Sequence, residues 1–167
     1  MSMSNDQLHS NYAYPDFNLR HITTYQSGVI QSNAQRILKL HTDSLLHEFG
    51  LTTTHWFIVG TVYDAMPNGI TVTKLAKKLG TGVPFLTNTV NLLESKQILL
   101  RVQSEDDIRS KKVTVHPDFV SECPRIESAL RNKMRNSLYK HIAPEDLTTY
   151  IKVLYQIVGI DEESTLS

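Results

Sequence analysis

Thr71–His116 reads TVTKLAKKLGTGVPFLTNTVNLLESKQILLRVQSEDDIRSKKVTVH, and its hydrophobic period changes along the way. Val72, Leu75, Ala76 and Leu79 recur at i, i+3, i+4 and i+7, with Lys74, Lys77 and Lys78 turned away from them. That spacing predicts a short amphipathic helix over Val72 to Leu79 with Thr71 as its N-cap. Gly80, Thr81 and Gly82 break the pattern, and a tight glycine turn lets a second helix cross the first steeply. Pro84 suits a first helical turn, where a missing N–H leaves nothing unpaired. The second helix, Val83 to Ser95, directs Leu86, Val90 and Leu93 inward and Thr87, Asn88 and Asn91 outward. Ile98–Val102 and the alternating Lys111–Val115 then read as two strands joined by a charged tip, Ser104 to Ser110. Two short helices followed by a hairpin is the order of a winged helix-turn-helix.

Working outward, Leu51 and Thr52 precede a helix whose inward stripe is Trp56, Val59, Gly60 and Tyr63, closed by Met66-Pro67-Asn68-Gly69. Upstream, a long helical pattern runs from Leu19 to Phe49 on Ile22, Tyr25, Val29, Ala34, Ile37 and Leu45, weakened locally by Gly28. Residues 1–18 are polar, interrupted by Tyr12, Tyr14, Pro15 and Phe17, and are expected to form a flexible arm. Downstream, Pro117 and Asp118 fit a helix start. Pro124 either kinks that helix or marks where it begins, and Ile126, Leu130, Met134 and Leu138 supply its stripe. Ala143-Pro144-Glu145-Asp146 restarts a terminal helix with a wide apolar face of Leu147, Tyr150, Ile151, Leu154, Ile157 and Val158.

One small core cannot easily cover three such helices, whereas a second copy of the chain can; the alternative is a monomeric helical core. The expected organisation is therefore a winged lobe over 51–116 and a helical dimerisation region over 19–50 and 117–162. The fold class is α+β, mainly α.

The 167 residues, 40% hydrophobic, suit a small globular chain. Formal net charge is zero, but 71–116 holds eight basic against four acidic residues, a net +4 that leaves −4 for the rest. A basic module between acidic helices is the segregation expected when one face meets nucleic acid. The single cysteine, Cys123, excludes an internal disulfide framework and is consistent with a reducing cytoplasm. Neither a membrane-spanning run nor a signal peptide is legible.

The central stretch resembles the core of the MarR family of bacterial winged-helix transcription regulators. The residues that carry the likeness are Leu75-Ala76, then Leu86-Thr87, Val90 and Leu93-Glu94, then Ile98 and Arg101, and finally Asp107-Ile108-Arg109. Leu51-Thr52 with Trp56 resembles the family's entry into its second helix. The resemblance implies an intertwined homodimer, formed by the first and last two helices, that presents two recognition helices to a palindromic operator on double-stranded DNA. It also implies repression relieved by a stress signal or by a small aromatic or phenolic effector. Gln97 stands where the family usually has Gly, so the backbone there is expected not to need a positive φ.

Thr87, Asn88, Asn91 and Phe85 are the candidates for the major groove: Asn pairs with adenine, and Thr or an apolar edge meets phosphate or a thymine methyl. Arg109 is the candidate for the minor groove, with Asp107 two residues earlier to orient its guanidinium. Lys74, Lys77, Lys78, Lys111 and Lys112 are phosphate-contact candidates. Tyr25, Arg36, His55 and Trp56 are loose effector candidates, with core packing the competing role for Trp56. Cys123 falls after the wing, where inert packing is the simpler role than redox sensing. His41, His47, Glu48, His55 and His116 offer no clean ligand pair, since His41 and His47 are six apart, so neither a metal nor another cofactor is expected. No catalytic motif is present. Where the family often has Arg at the place of Asn88 and another basic residue near Leu92, this chain has neither. That departure motivates the alternative, a winged-helix protein acting through protein contacts without DNA.

Overall fold

The computed structural model describes residues 22–103 and 111–164. Its elements are α1 (Thr24–Leu46), α2 (Thr53–Asp64), β1 (Ile70–Thr71), α3 (Val72–Lys78), α4 (Val83–Ser95), β2 (Leu99–Gln103), β3 (Lys111–Val115), α5 (Glu122–Ser137) and α6 (Pro144–Ser164). Single 3-10 turns lie at His47–Phe49, Pro117–Phe119 and Tyr139–His141. The described residues form two compact units: one lies within 32–132, the other joins 22–31 to 133–164. The expected arm, 1–18, lies outside the described residues.

In the larger unit, α2, α3 and α4 close around one core. Ile58, Val59 and Val62 of α2, Leu75 and Ala76 of α3, and Leu86, Val90 and Leu93 of α4 are buried together with Val113 and Val115 of β3. The stripe read for α4 is thus its packed face, whereas on α2 the buried side is Ile58, Val59 and Val62, and of the expected stripe Trp56, Gly60 and Tyr63 are only half-buried. Val72 and Leu79 flank this core, half-buried. The three strands pair antiparallel in the order β1-β3-β2, with Ile70 opposite Val113 and Leu99 opposite Val115. At Gly69, φ is +66 and an added Cβ would lie 2.9 Å from the Val113 carbonyl oxygen, so only glycine lets the chain enter β1 this close to β3.

Four local features depart from the sequence reading or decide what it left open. The first helix begins at Thr24 rather than Leu19, because Thr23 and Gln26 form a capping box: the Gln26 N–H donates to Thr23 Oγ1 (3.2 Å), and the Thr23 N–H donates to Gln26 Oε1 (3.0 Å). It ends at Leu46, one 3-10 turn short of the expected Phe49, and it runs through Gly28 unbroken. Pro124 is the third residue of α5, inside the first turn, where its missing N–H has no partner to lose. Pro117 and Asp118 belong instead to the separate 3-10 turn, whose Asp118 N–H donates to His116 Nδ1 at 3.3 Å.

The fourth is a correction: Gln97 has φ +56. The physical reason is the way α4 stops. The Ile98 N–H donates to the Leu93 carbonyl (2.9 Å) and the Gln97 N–H to that of Glu94 (2.9 Å), the paired bonds of a Schellman turn, which needs its C′ residue left-handed. Helix α3 stops identically, through Thr81 to Ala76 (3.0 Å) and Gly80 to Lys77 (3.2 Å), with Gly80 at φ +59.

The junction of α1 with α2 is built by a contact the sequence does not announce. Asp43 Oδ1 accepts from the Thr53 N–H (2.6 Å) and the Thr53 hydroxyl (2.7 Å), while Oδ2 meets Lys39 Nζ at 2.6 Å. The Lys39 bond, followed by those from Thr53, holds the Asp43 carboxyl down at about 2, against the opposing effect of burial. A carboxylate at the α2 N-terminus also suits the helix dipole.

In the smaller unit the apolar faces stay uncovered. Tyr150, Ile151, Leu154, Ile157 and Val158 on α6 are 39–59% exposed, and Tyr25, Val29 and Ile30 on the first turns of α1 are exposed as well.

Candidate nucleic-acid interface

Helix α4 is amphipathic in an unusual sense: one side is core, and the other carries no charge. Leu86, Thr89, Val90 and Leu93 are buried, with the Thr89 hydroxyl spent on the Phe85 carbonyl at 2.9 Å. Opposite them, Pro84, Phe85, Asn88, Asn91, Leu92 and Ser95 are exposed. Phe85 is 51% and Leu92 44% exposed, which is high for large apolar side chains on a well-packed lobe. Thr87 sits on the flank, half-buried, and its hydroxyl donates to the Val83 carbonyl (2.9 Å), leaving oxygen lone pairs for an incoming donor.

Glu94, the one ionisable residue of α4, is turned away from this face. Its Oε1 accepts from the Arg101 N–H of β2 at 2.9 Å, and its Oε2 pairs with the Arg101 guanidinium. Both residues are partly buried. The pair ties the end of α4 to the first strand of the hairpin, so the helix and the wing's base move as one piece. Both residues belong to the pattern that carries the family resemblance, but nothing in that pattern shows that they bond to one another.

Around α4 the basic residues fall as follows. Lys74, Lys77 and Lys78 are exposed on α3, Lys111 is exposed at the start of β3, and Lys112 is half-buried beside it. Lys96, after α4, donates to the Gly50 carbonyl at 3.0 Å and serves the lobe's own structure. Arg109 and Asp107 lie outside the described residues. Phe85, Asn88 and Asn91 are therefore brought onto one face, with Thr87 at its edge. Leu92 was missed as a face residue. Its signal was its place on the helical wheel, about 160° from Val90 and about 100° from Leu93 and so outside the inward stripe.

The effector candidates are spread more widely. His55 completes the α2 capping box: the Thr52 N–H donates to its Nδ1 (3.3 Å) and the His55 N–H to Thr52 Oγ1 (3.2 Å). Burial, then the Lys96 charge, lowers its pKa, in keeping with an acceptor nitrogen. Trp56 packs half-buried against the core and, with Gly60, Tyr63 and Asp64, lines a cleft of about 470 Å³ completed by Cys123, Pro124 and Glu127 of α5. Arg36 is exposed on α1, and Tyr25, 77% exposed, belongs to the smaller unit. Cys123 is 2% exposed, its thiol 3.7 Å from the Phe119 carbonyl, and burial pushes its pKa up to about 11; this is a packing cysteine, not a reactive one. Among the described residues no three His, Cys, Asp or Glu gather as metal ligands, and no helix is long and apolar enough to cross a membrane.

A short helix, a glycine turn, a second helix packed across it and an antiparallel hairpin on a three-stranded sheet define a winged helix-turn-helix. Residues 51–111 match the model of the MarR family. The crystal structure of AbsC, a MarR family transcriptional regulator from Streptomyces coelicolor, is similar at TM-score 0.70 and 19% identity, covering 85% of this chain and 97% of that one. MepR of S. aureus, in complex with DNA, gives TM-score 0.66 at 19% identity over 83% of this chain and 98% of its own. CouR from Rhodococcus jostii, bound to p-coumaroyl-CoA, gives 0.68 at 13% identity over 78% and 90%. At these identities the likenesses are likenesses of fold.

Proposed function

We propose that the chain is a sequence-specific DNA-binding transcription regulator, a repressor that binds a palindromic operator as a homodimer and responds to a small-molecule or stress signal. The observation that carries this reading is the presentation of α4: buried on Leu86, Val90 and Leu93, it offers Phe85, Asn88 and Asn91 outward beside the exposed lysines of α3 and Lys111. Lysines position such a module on phosphates, and an outward helix face reads the base edges. Arg109, with Asp107, supplies the wing's minor-groove contact. Residues 51–116 are the DNA-binding lobe, and 19–50 with 117–162 form the dimerisation region, whose exposed α6 face is what a second copy covers. MepR in complex with DNA supports the DNA reading, and CouR with its phenolic thioester supports an effector of aromatic character. In this chain such an effector would meet Trp56 and His55 from α2, with Arg36 as a further candidate; Tyr25 is a separate candidate in the other unit.

The test is a gel shift on the duplex upstream of the chain's own coding region. Affinity is expected to fall by roughly a hundredfold or more between about 50 and about 200 mM salt, because several phosphates are neutralised on binding. Arg109→Ala is expected to weaken binding at least about tenfold. Sequence-indifferent, salt-insensitive behaviour would instead favour a winged-helix protein working through protein contacts. The uncharged, partly apolar outer face of α4 is the observation on that side.

A further inference from the structure

The outer face of α4 limits what it can read. Guanine is ordinarily taken by Arg or Lys at O6 and N7, and cytosine by Asp or Glu at N4. Helix α4 has no basic residue, and its single acid, Glu94, is bonded to Arg101. Of the outward side chains, Asn88 and Asn91 are two amides suited to adenine N6 and N7, and Phe85 and Leu92 are two apolar edges; Thr87 and Ser95 beside them have hydroxyls already donated to helix carbonyls. At about 100° per residue, Phe85, Asn88 and Leu92 fall within an arc of about 60°, with Asn88 facing away from Leu86 and Leu93 and Phe85 at the edge towards the buried Thr89. The seven helical steps from Phe85 to Leu92 rise roughly 10 Å, close to the roughly 10 Å covered by three base-pair steps. An apolar contact, an amide and a second apolar contact therefore spread over about four base pairs.

We propose that α4 reads A·T pairs alone, with Asn88 and Asn91 on adenine and with Phe85 and Leu92 packed on thymine C5-methyl groups, so that Leu92 is a specificity-determining residue. The proposal rests on the DNA-binding reading above. Each methyl group buried against carbon contributes about what one buried methylene does, so its removal weakens binding by about fourfold. A second copy of the chain on a palindromic site doubles the number of such contacts.

The experiment starts from a pool of duplexes with a randomised central segment, enriched on the full-length protein. The selected duplexes are then resynthesised with deoxyuridine in place of thymidine, which removes the C5-methyl group and leaves pairing intact. A·T pairs at the positions α4 covers are expected, with about fourfold weaker binding per methyl removed. Leu92→Ala should bind the thymidine duplex more weakly and lose sensitivity to deoxyuridine at one position; Phe85→Ala should lose it at another. Both side chains are exposed, so neither change endangers folding. Enrichment of G·C at those positions, or full binding to the deoxyuridine duplex, overturns the proposal while leaving the DNA-binding reading standing. No enrichment over the starting pool overturns both.

Discussion

The winged lobe and the terminal helix α6 use the same residue types to opposite ends. In the lobe, Leu75, Leu86, Leu93 and Val113 are fully buried, each apolar face closed by another element of the same chain. On α6, an equally apolar row of Tyr150, Ile151, Leu154, Ile157 and Val158 remains 39–59% exposed. Contiguous apolar surface of this kind marks an interaction site rather than a finished surface. The difference teaches that residues 32–132 close a core of their own, with Leu46 of α1 and Cys123, Ile126 and Leu130 of α5 completing the lobe, while the α6 face is left open, in the proposed function for a second copy.

The sharpest way to break that comparison is to remove the same side chain from each region. Leu86→Ala leaves a cavity in a closed core, and a loss of about 3–5 kcal/mol in unfolding free energy is expected, at every protein concentration. Leu154→Ala is expected to leave the lobe's stability unchanged and to shift the dimer's dissociation constant about tenfold or more, so its unfolding midpoint should depend on protein concentration. Denaturant unfolding at several concentrations reads both. A concentration-independent loss for Leu154→Ala, as large as that for Leu86→Ala, would mean that α6 finishes a core within its own chain.

A smaller effect sharpens where the lobe ends. Residues 32–46 of α1 cluster with the lobe, and Asp43 is the polar tie, through Thr53 and Lys39. Asp43→Asn keeps the shape and removes the charge, and a loss of about 1–2 kcal/mol is expected, reduced from a fully buried value because the side chain is partly solvated. The sign of the pH dependence follows from the lowered pKa. The native state binds its proton less readily than the unfolded chain, so this stability is present above the ordinary value of 3.8 and is lost as pH falls towards about 2. Acid unfolding of wild type and Asp43→Asn should therefore converge at the low end of that window.

Much of this was legible in the sequence because it is local and periodic. The bounds of α4, Val83–Ser95, and its inward Leu86, Val90 and Leu93 follow from spacing alone, as does the Thr71 cap, which accepts from the Lys74 N–H at 3.3 Å. Asn88 and Asn91 were legible as outward residues for the same reason. What was not legible is what depends on tertiary placement. Asp43 reaches Thr53 across a chain reversal, and Glu94 at the end of a helix reaches Arg101 in a strand, so no single helical or strand period runs through either pair. The early N-terminus of α1 was misread because an apolar pattern continues upstream of Thr23, while the capping box, a local polar contact, sets the boundary.

The last prediction concerns the smallest term, the helix stops inside the lobe. Three of them share a geometry: a six-to-one bond closes over Gly50, Gly80 and Gln97, from Leu51 to Leu46, Thr81 to Ala76 and Ile98 to Leu93. Glycine occupies the left-handed position in two, at φ +67 and +59; in the third a glutamine holds +56. A side chain with a Cβ in this region costs about 1–2 kcal/mol, offset in part because glycine is freer in the unfolded chain. Gln97→Gly is therefore expected to stabilise the lobe by about 0.5–1 kcal/mol, and Gly80→Ala to destabilise it by about 1 kcal/mol, both read by denaturant unfolding. The glutamine is tolerated because the Glu94–Arg101 pair and the Lys96 bond to Gly50 already fix the chain on either side of the turn. If Gln97→Gly stabilises less in a Glu94→Gln background than in the wild type, the two features are coupled, and the stop of α4 is held by the strand it leads into as much as by its own backbone.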